Sequence, residues 1–113
     1  MTKEFKPKSL RQRALEYLGK REYSYVELSQ KLKTYAEKSD DIPAILDDFN
    51  KRGWLSDQRF AEQIVHARSH KFGSAKIEHE LREKGVADEL IAEAISQVKE
   101  NELENAREVW RKK

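Results

Sequence analysis

Apolar residues recur along this chain at a constant separation of 49 positions, as between residues 28 and 77. The separation holds across the turns as well as the helices, so the first part of the chain superposes on the second without a gap. A chain with such a pattern folds as copies of one small unit, each of which packs against its neighbours. The matched pairs are Leu15 with Ile64, Tyr23 with Phe72, Leu28 with Ile77, Leu32 with Leu81, Ile42 with Ile91, Leu46 with Ile95 and Phe49 with Val98.

Each copy contains three stretches with the 3.6-residue periodicity of an amphipathic helix. The spacing therefore predicts six helices and an all-α fold, arranged as an elongated array of tandem three-helix repeats. The predicted apolar stripes are Leu10, Ala14, Leu15, Tyr17 and Leu18; Tyr25, Leu28, Leu32 and Tyr35; Ile42, Ile45, Leu46 and Phe49; Phe60, Ala61, Ile64 and Ala67; Ile77 and Leu81; and Leu90, Ile91, Ala94, Ile95 and Val98.

Polar residues, prolines and glycines mark the predicted helix ends. Ser24 and Glu27 have the spacing of a capping box, in which each side chain bonds a free backbone N–H at the helix start. Gly53 and Gly85 suit the left-handed position that ends a helix. The other boundary residues are Gly19 at an end, Asp41 and Pro43 at a start, Ser56 or Asp57 and Ser74 as caps, and Asp88 and Glu89 in a first turn.

The repeat also predicts how the chain divides. Residues 1–8 form a flexible basic arm, residues 9–55 the first repeat and residues 56–100 the second. The same separation carries Trp54 to Leu103 and Phe60 to Val109, so residues 101–113 are the first helix of a third, incomplete repeat. This seventh helix, starting near Glu102, lacks its companions and is expected to be poorly held after about residue 100.

The composition favours exposed helices, since 39% of the residues are charged and 37% are apolar. The net charge of +2 conceals alternating blocks: +5 over residues 1–21, −4 over 22–50, +3 over 51–84 and −2 over 85–113. Such blocks indicate faces that meet different partners, or arise by chance on a charge-rich surface. Without an apolar membrane span or secretory signal, we expect a cytoplasmic protein with no membrane contact.

No catalytic motif is visible in the sequence. The chain has no cysteine, which excludes disulfides, thiolate nucleophiles and cysteine-ligated zinc. His66 and His70 have the spacing of two metal ligands on one helix face, but they lack further ligands and the pattern of a zinc protease. We therefore expect no catalytic residues, no metal, no cofactor and no enzymatic activity.

Basic residues are the most informative polar feature. Arg68, Lys71 and Lys76 flank the break at Phe72 and Gly73, where a helix start also offers N–H groups to an anion. Any of them could instead pair with nearby acidic residues, namely Glu62, Glu78, Glu80 or Glu83. The cluster as a whole indicates binding to anions or to an acidic surface.

The aromatic residues have two interpretations. Tyr17, Phe49, Trp54 and Phe60 lie at or beside apolar stripes and are expected to fill the core or seal the repeat junction. Stacking on nucleic-acid bases is the alternative for Tyr23, Tyr25 or Phe72, if these are exposed beside basic residues. Packing is the preferred interpretation.

Several spaced motifs occur between residues 9 and 113. They are the run GWLSDQRFA at residues 53–61, then Arg68, Gly73, Ile77, Glu80, Leu81, Lys84, Gly85 and Val86, with Arg13 to Leu18, Tyr23, Glu27 and Leu28 upstream and Ala106, Arg107 and Trp110 downstream. Together these motifs, which cover residues 9–113, resemble the RecX family of bacterial regulators of the RecA recombinase.

The resemblance implies an all-helical protein that is not an enzyme and that binds in the groove of the RecA filament on single-stranded DNA. It also implies inhibition of the filament's ATP hydrolysis, strand exchange and co-protease activities. We expect a monomer that reaches single-stranded DNA through the filament. The residues expected to contact RecA or DNA phosphates are Arg59, Arg68, Lys71, Lys76, Arg82 and Lys84.

Two other functions stay open. A three-helix unit commonly presents one helix to a DNA groove, so the chain could be an independent DNA-binding protein. A helical adaptor for another charged partner is a further alternative. The resemblance ends inside the third repeat, so full contact with a filament is in question.

Overall fold

Helices make up the ordered elements of this protein, as the sequence predicts. The computed structural model describes residues 8–97, which contain no β-strand. The helices are α1 (Leu10–Lys20), α2 (Tyr25–Lys33), α3 (Ile42–Lys51), α4 (Asp57–Arg68), α5 (Ser74–Glu83) and α6, described over residues 88–97. The extents of 72 × 32 × 24 Å confirm an elongated all-α fold. Residues 1–7 of the predicted arm over residues 1–8, together with Val98 and the seventh helix, lie outside the described residues.

Local side-chain caps explain where most of the helices begin. Ser9, Ser24, Asp41 and Ser56 each precede a helix and accept a hydrogen bond from the backbone N–H three residues later. Such caps satisfy donors that have no partner within the helix. The alternative cap, Asp57, is instead the first residue of α4.

Two predicted caps are wrong in part. Gly73 is the residue before α5, and no side chain caps that helix, so Ser74 is a helical residue and not its cap. Ser24 caps α2, but the Glu27 carboxylate does not return the second bond of a capping box, because it binds Arg21 and Lys84. The complete capping box is at α1, between Ser9 and Gln12.

Two glycines end helices in the left-handed conformation, as predicted. Gly53 follows α3 with φ of 77°, and Gly85 follows α5 with φ of 78°. Side chains strongly disfavour this region of backbone space, which explains glycine at both positions. Gly19 lies one residue before the end of the first helix, since α1 continues to Lys20 and Arg21 is its C-cap.

Buried residues form two clusters, one on each half of the chain. We refer to α1–α3 as the N-terminal half and to α4–α6 as the C-terminal half. The predicted repeat boundaries stay a prediction. The first cluster contains Leu10, Ala14, Tyr23, Leu28, Leu32, Leu46, Phe49 and Leu55; the second contains Phe60, Ala61, Val65, Ile77, Leu81, Val86, Ile91, Ala94 and Ile95.

Four predicted core residues are exposed, and each lies at the edge of a stripe. Leu15 is turned more than a quarter of the helix circumference from Leu10 and Ala14. Ala67 lies at one edge of the α4 stripe and one residue before the end of the helix, and Val65 is buried instead. Tyr35 and Trp54 follow helix ends, and both are more than 40% exposed. Trp54 nevertheless packs on Phe49, with ring centroids 5.5 Å apart.

Candidate partner-binding surface

Polar contacts join the two halves at the start of α2. The Ser24 hydroxyl donates to the backbone carbonyl of Lys84 over 2.7 Å. The first backbone N–H of α2, from Tyr25, donates to the Asp57 carboxylate over 2.8 Å. Ser24 is fully buried, so the bond that its hydroxyl donates to Lys84 and the bond that it accepts from the Glu27 N–H replace contacts with water. We call this contact region, with Glu22, Val26, Glu27, Arg59 and Gly85, the helix junction.

Glu27 receives cations from both halves at this junction. Its two carboxylate oxygens accept a paired hydrogen bond from the Arg21 guanidinium at 2.8 and 3.1 Å. The Lys84 ammonium approaches one of them to 3.3 Å. The Glu27 side chain is only 10% exposed. Burial alone would raise its pKa, but the hydrogen bonds and charges of Arg21 and Lys84 outweigh burial and lower the pKa.

The junction also contains a second ion pair and one close backbone approach. The Arg59 guanidinium donates to the Glu22 carboxylate over 2.9 Å. Gly85 lies directly against the Val26 side chain, where a β-carbon on residue 85 would collide with the valine. Arg59 and Lys84, two of the predicted contact residues, therefore hold the two halves of the chain together.

The pKa of Asp57 is shifted in the opposite direction to the pKa of Glu27. Burial raises the pKa of the Asp57 carboxyl, and the hydrogen bond from the Tyr25 N–H offsets only part of that effect. The carboxylate belongs to α4 but adds to the Ser24 cap, because it accepts from a second free N–H in the first turn of α2. The junction thus contains two acidic groups with pKa values shifted in opposite directions.

The break between α4 and α5 gathers three of the predicted basic residues. We define the basic turn as Arg68, Lys71, Phe72, Gly73 and Lys76. The Lys76 ammonium lies 4.1 Å from the centre of the Phe72 ring, a cation–π contact. Phe72 is 37% exposed. Within residues 8–97, neither Lys71 nor Lys76 forms an ion pair, so both charges face solvent.

The charge of Arg68 is neutralised within this turn. Its guanidinium donates to both carboxylate oxygens of Glu80, at 3.2 and 3.3 Å. This bond to Glu80 raises the Arg68 pKa. Glu80 is one of the acidic partners that the sequence suggests, but the pair joins α4 to α5 over 12 positions and does not have the spacing of two neighbours on one helix.

Arg82 lies away from the basic turn. Its guanidinium pairs with Asp88 over 3.0 Å at the opposite end of α5. A helical rise of 1.5 Å per residue places Lys84 about 12 Å from Lys76 along the helix axis. The structure brings Arg68, Lys71 and Lys76 together, whereas Arg59, Arg82 and Lys84 bind acidic residues elsewhere.

The three aromatic residues considered for stacking on bases differ in how exposed they are. Tyr23 is buried, and the half-buried Tyr25 donates its hydroxyl hydrogen to Asp47 over 2.9 Å. Phe72 alone of the three is exposed beside lysines. His66 is exposed on α4, whereas His70 is exposed in the turn that follows it, so the two histidines do not share a helix face. No three potential ligands cluster for a metal within the described part of the chain. In the same part, no helix is long and apolar enough to cross a bilayer.

The sequence interpretation missed the role of Glu27 as the partner of two cations. The spacing of Ser24 and Glu27 explains the glutamate locally, through the capping box, and points to no distant partner. The available signal was the position of Glu27 beside the core residue Leu28, because a charge next to a buried residue needs a compensating partner. The identity of that partner depends on the packing of the two halves.

Known proteins match this chain over most of its length. Residues 56–95 match the family described as RecX, second three-helix domain. Regulatory protein RecX from Leptothrix cholodnii is 43% identical over 105 residues, which are 93% of this chain and 67% of that protein. The Ralstonia nicotianae protein of the same name is 39% identical over 107 residues, or 95% of this chain and 67% of the relative. The chain belongs to the RecX family.

The fold agrees with that membership. A solved structure of regulatory protein RecX superposes with a TM-score of 0.72 at 23% identity, covering 78% of this chain. The chain spans 45% of that solved protein and about two thirds of its curated RecX relatives. These relatives are named regulatory proteins, which supports a regulatory role for a RecX chain of this kind.

Proposed function

We propose that this RecX chain is a non-catalytic regulator that binds RecA filaments on single-stranded DNA in the cytoplasm. Binding inhibits the filament's ATP hydrolysis, strand exchange and co-protease activities. The observation that carries the proposal is the RecX similarity over 93% of the chain, including the motif run at residues 53–61. The RecA partner comes from that resemblance.

The shape and charge of the chain support this function. An elongated helical chain can contact a large assembly at more than one point along its length. The helix junction joins the two halves of the chain through ion pairs and hydrogen bonds, which fixes the position of one half relative to the other. Contacts spread along such a chain gain affinity because little order is lost on binding.

Among the predicted contact residues, Lys71 and Lys76 are the best candidates for the partner. The other four have acidic partners within the chain, and an intermolecular contact would have to displace those partners. Lysines facing solvent accelerate association with an acidic surface and make it sensitive to salt. We therefore assign the basic turn as the first contact with the filament.

The direct test follows ATP hydrolysis by RecA on single-stranded DNA with increasing amounts of the chain. The expected result is progressive inhibition that weakens as salt is raised. A folded chain that leaves ATP hydrolysis unchanged at saturating concentration contradicts the proposed function.

The double substitution Lys71→Ala with Lys76→Ala tests the basic turn. Two solvent-facing charges contribute about 0.5–1 kcal/mol each, so about five- to thirtyfold more protein should be needed for half-inhibition. The matched control is Lys33→Ala with Lys51→Ala, which removes two exposed lysines from the last turns of α2 and α3. If both pairs of substitutions weaken inhibition equally, the overall charge of the chain, and not the basic turn, determines the inhibition.

A further inference from the structure

Cations and tyrosines alternate across the surface shared by α1 and α2. Arg13, Tyr17 and Lys20 follow one another along α1, and Lys31 and Tyr35 lie opposite them. The Arg13 guanidinium carbon is 4.1 Å from the centre of the Tyr35 ring, and the Lys31 ammonium is 5.6 Å from the centre of the Tyr17 ring. We call these five residues the cation–tyrosine ladder.

The two tyrosines of the ladder influence each other. The Tyr17 pKa is raised, first by its interaction with Tyr35 and further by burial. Tyr35 is 44% exposed, and a recess of about 110 Å³ beside Tyr17 is lined by Arg13, Glu16 and Lys20. The ladder therefore presents flat, accessible groups beside an opening in the surface.

The cations of the ladder form no salt bridge within the described chain. This holds for Arg13, Lys20 and Lys31 within residues 8–97. The one acidic residue in the recess, Glu16, pairs with Lys8 over 2.7 Å; the hydrogen bond from Lys8 is the main cause that lowers the Glu16 pKa, and the nearby charges of Lys20 and Arg13 lower it further. This differs from the predicted contact residues, four of which have acidic partners.

We propose that the cation–tyrosine ladder binds a single strand of nucleic acid. Single strands expose both phosphates and base faces, and proteins bind them with cations beside aromatic rings. An arginine guanidinium stacked on a ring offers a flat outer face on which a base can stack in turn. The α1 row from Arg13 to Lys20 spans about 10 Å, so it contacts more than one nucleotide.

Paired duplexes fit the ladder less well, because their base faces are stacked inside the helix. An acidic peptide would use the charges of the ladder but not the exposed tyrosine. The site lies on the N-terminal half, whereas the basic turn assigned to RecA lies on the C-terminal half. Nucleic-acid binding at the ladder can therefore be tested independently of the proposed binding to RecA.

The experiment measures fluorescence anisotropy of labelled oligothymidylate and oligouridylate, each of about 15 nucleotides. RecA is absent. Tyr35→Ala should weaken binding at least fivefold, roughly the loss expected for one base stack. Lys20→Ala with Lys31→Ala should lower the slope of log affinity against log salt by about 0.7 for each lysine.

The control pair Lys33→Ala with Lys51→Ala removes the same charge from outside the ladder. Because it leaves Tyr35 in place, it should weaken oligonucleotide binding less than Tyr35→Ala does. Circular dichroism verifies that each variant remains helical. Tighter binding of thymidylate assigns the site to DNA, and tighter binding of uridylate assigns it to RNA; either supports the ladder. No binding, an equal loss in Tyr35→Ala and the control pair, equal affinity for a duplex, or stronger competition by oligoglutamate overturns the proposal.

Discussion

Replacing Gly85 with alanine is expected to destabilise the chain by about 2–5 kcal/mol. The left-handed backbone at this residue costs a side chain about 1–2 kcal/mol. In addition, an alanine β-carbon would lie 2.7 Å from the β-carbon of Val26 and closer still to one of its methyl groups. Relief requires α2 to move away from the end of α5, and overpacking of this kind costs about 1–3 kcal/mol.

Gly53 provides a matched control, because its φ of 77° is close to the 78° of Gly85 but a β-carbon added there would have no neighbour within 4 Å. Gly53→Ala should therefore lose only the backbone contribution of about 1–2 kcal/mol. Urea denaturation of both variants measures the difference. Adding Val26→Ala to Gly85→Ala should recover part of the extra loss. Equal destabilisation by the two alanine substitutions would contradict the close packing of the halves.

Glu27→Ala is expected to produce the second-largest effect, a loss of about 1–3 kcal/mol in the free energy of unfolding. The substitution removes the shared acceptor of Arg21 and Lys84. Both cations are at least 40% exposed, so they can turn towards water, which keeps the loss below that of a fully buried pair.

The pH dependence of this effect has a definite sign. The pKa of folded Glu27 lies below its ordinary value of 4.5, so Glu27 stabilises the fold above that value. That contribution disappears as the pH falls from about 4.5 through the lower folded pKa. Glu27→Gln should therefore flatten this part of the stability curve. Asp57, with its raised pKa, contributes in the opposite sense and is unchanged in the comparison.

Glu80→Ala is the control for Glu27→Ala, since it also removes a carboxylate that bonds an arginine twice. The Glu80 side chain is 30% exposed and its bonds stay within one half, so the loss should be at most about 1 kcal/mol. Chemical denaturation over a range of pH measures both variants. A Glu27 loss no greater than the Glu80 loss would show that the junction adds no stability.

The helices and their core could be predicted because both depend on nearby residues. Leu28, Leu32 and Leu46 repeat with the helical period and are buried, and Gly53 ends its helix by local backbone geometry. The errors fall where the period is ambiguous. Leu15 and Ala67 lie at stripe edges, and the packing direction of the helix decides that they are exposed.

The surface could be predicted less well, because pairing depends on tertiary contacts. Arg59 and Glu22 are 37 positions apart, and Lys84 and Glu27 are 57 apart, so no helical spacing connects them. The sequence marks Arg59, Lys84 and Lys71 alike as basic. Only the packing of the halves distinguishes cations held at the junction from Lys71, which faces solvent.

The sequence separation of the junction contacts has a kinetic consequence. The Ser24 hydroxyl and the Lys84 carbonyl are 60 residues apart, whereas helix contacts within each half close much shorter loops. Short loops close first because they lose less chain entropy, so docking of the halves should follow the rate-limiting step of folding. Stopped-flow measurements on Glu27→Ala should then show faster unfolding and nearly unchanged refolding, a φ-value near zero. The junction would then form late in folding and slow the unfolding rate, which sets the lifetime of the folded chain.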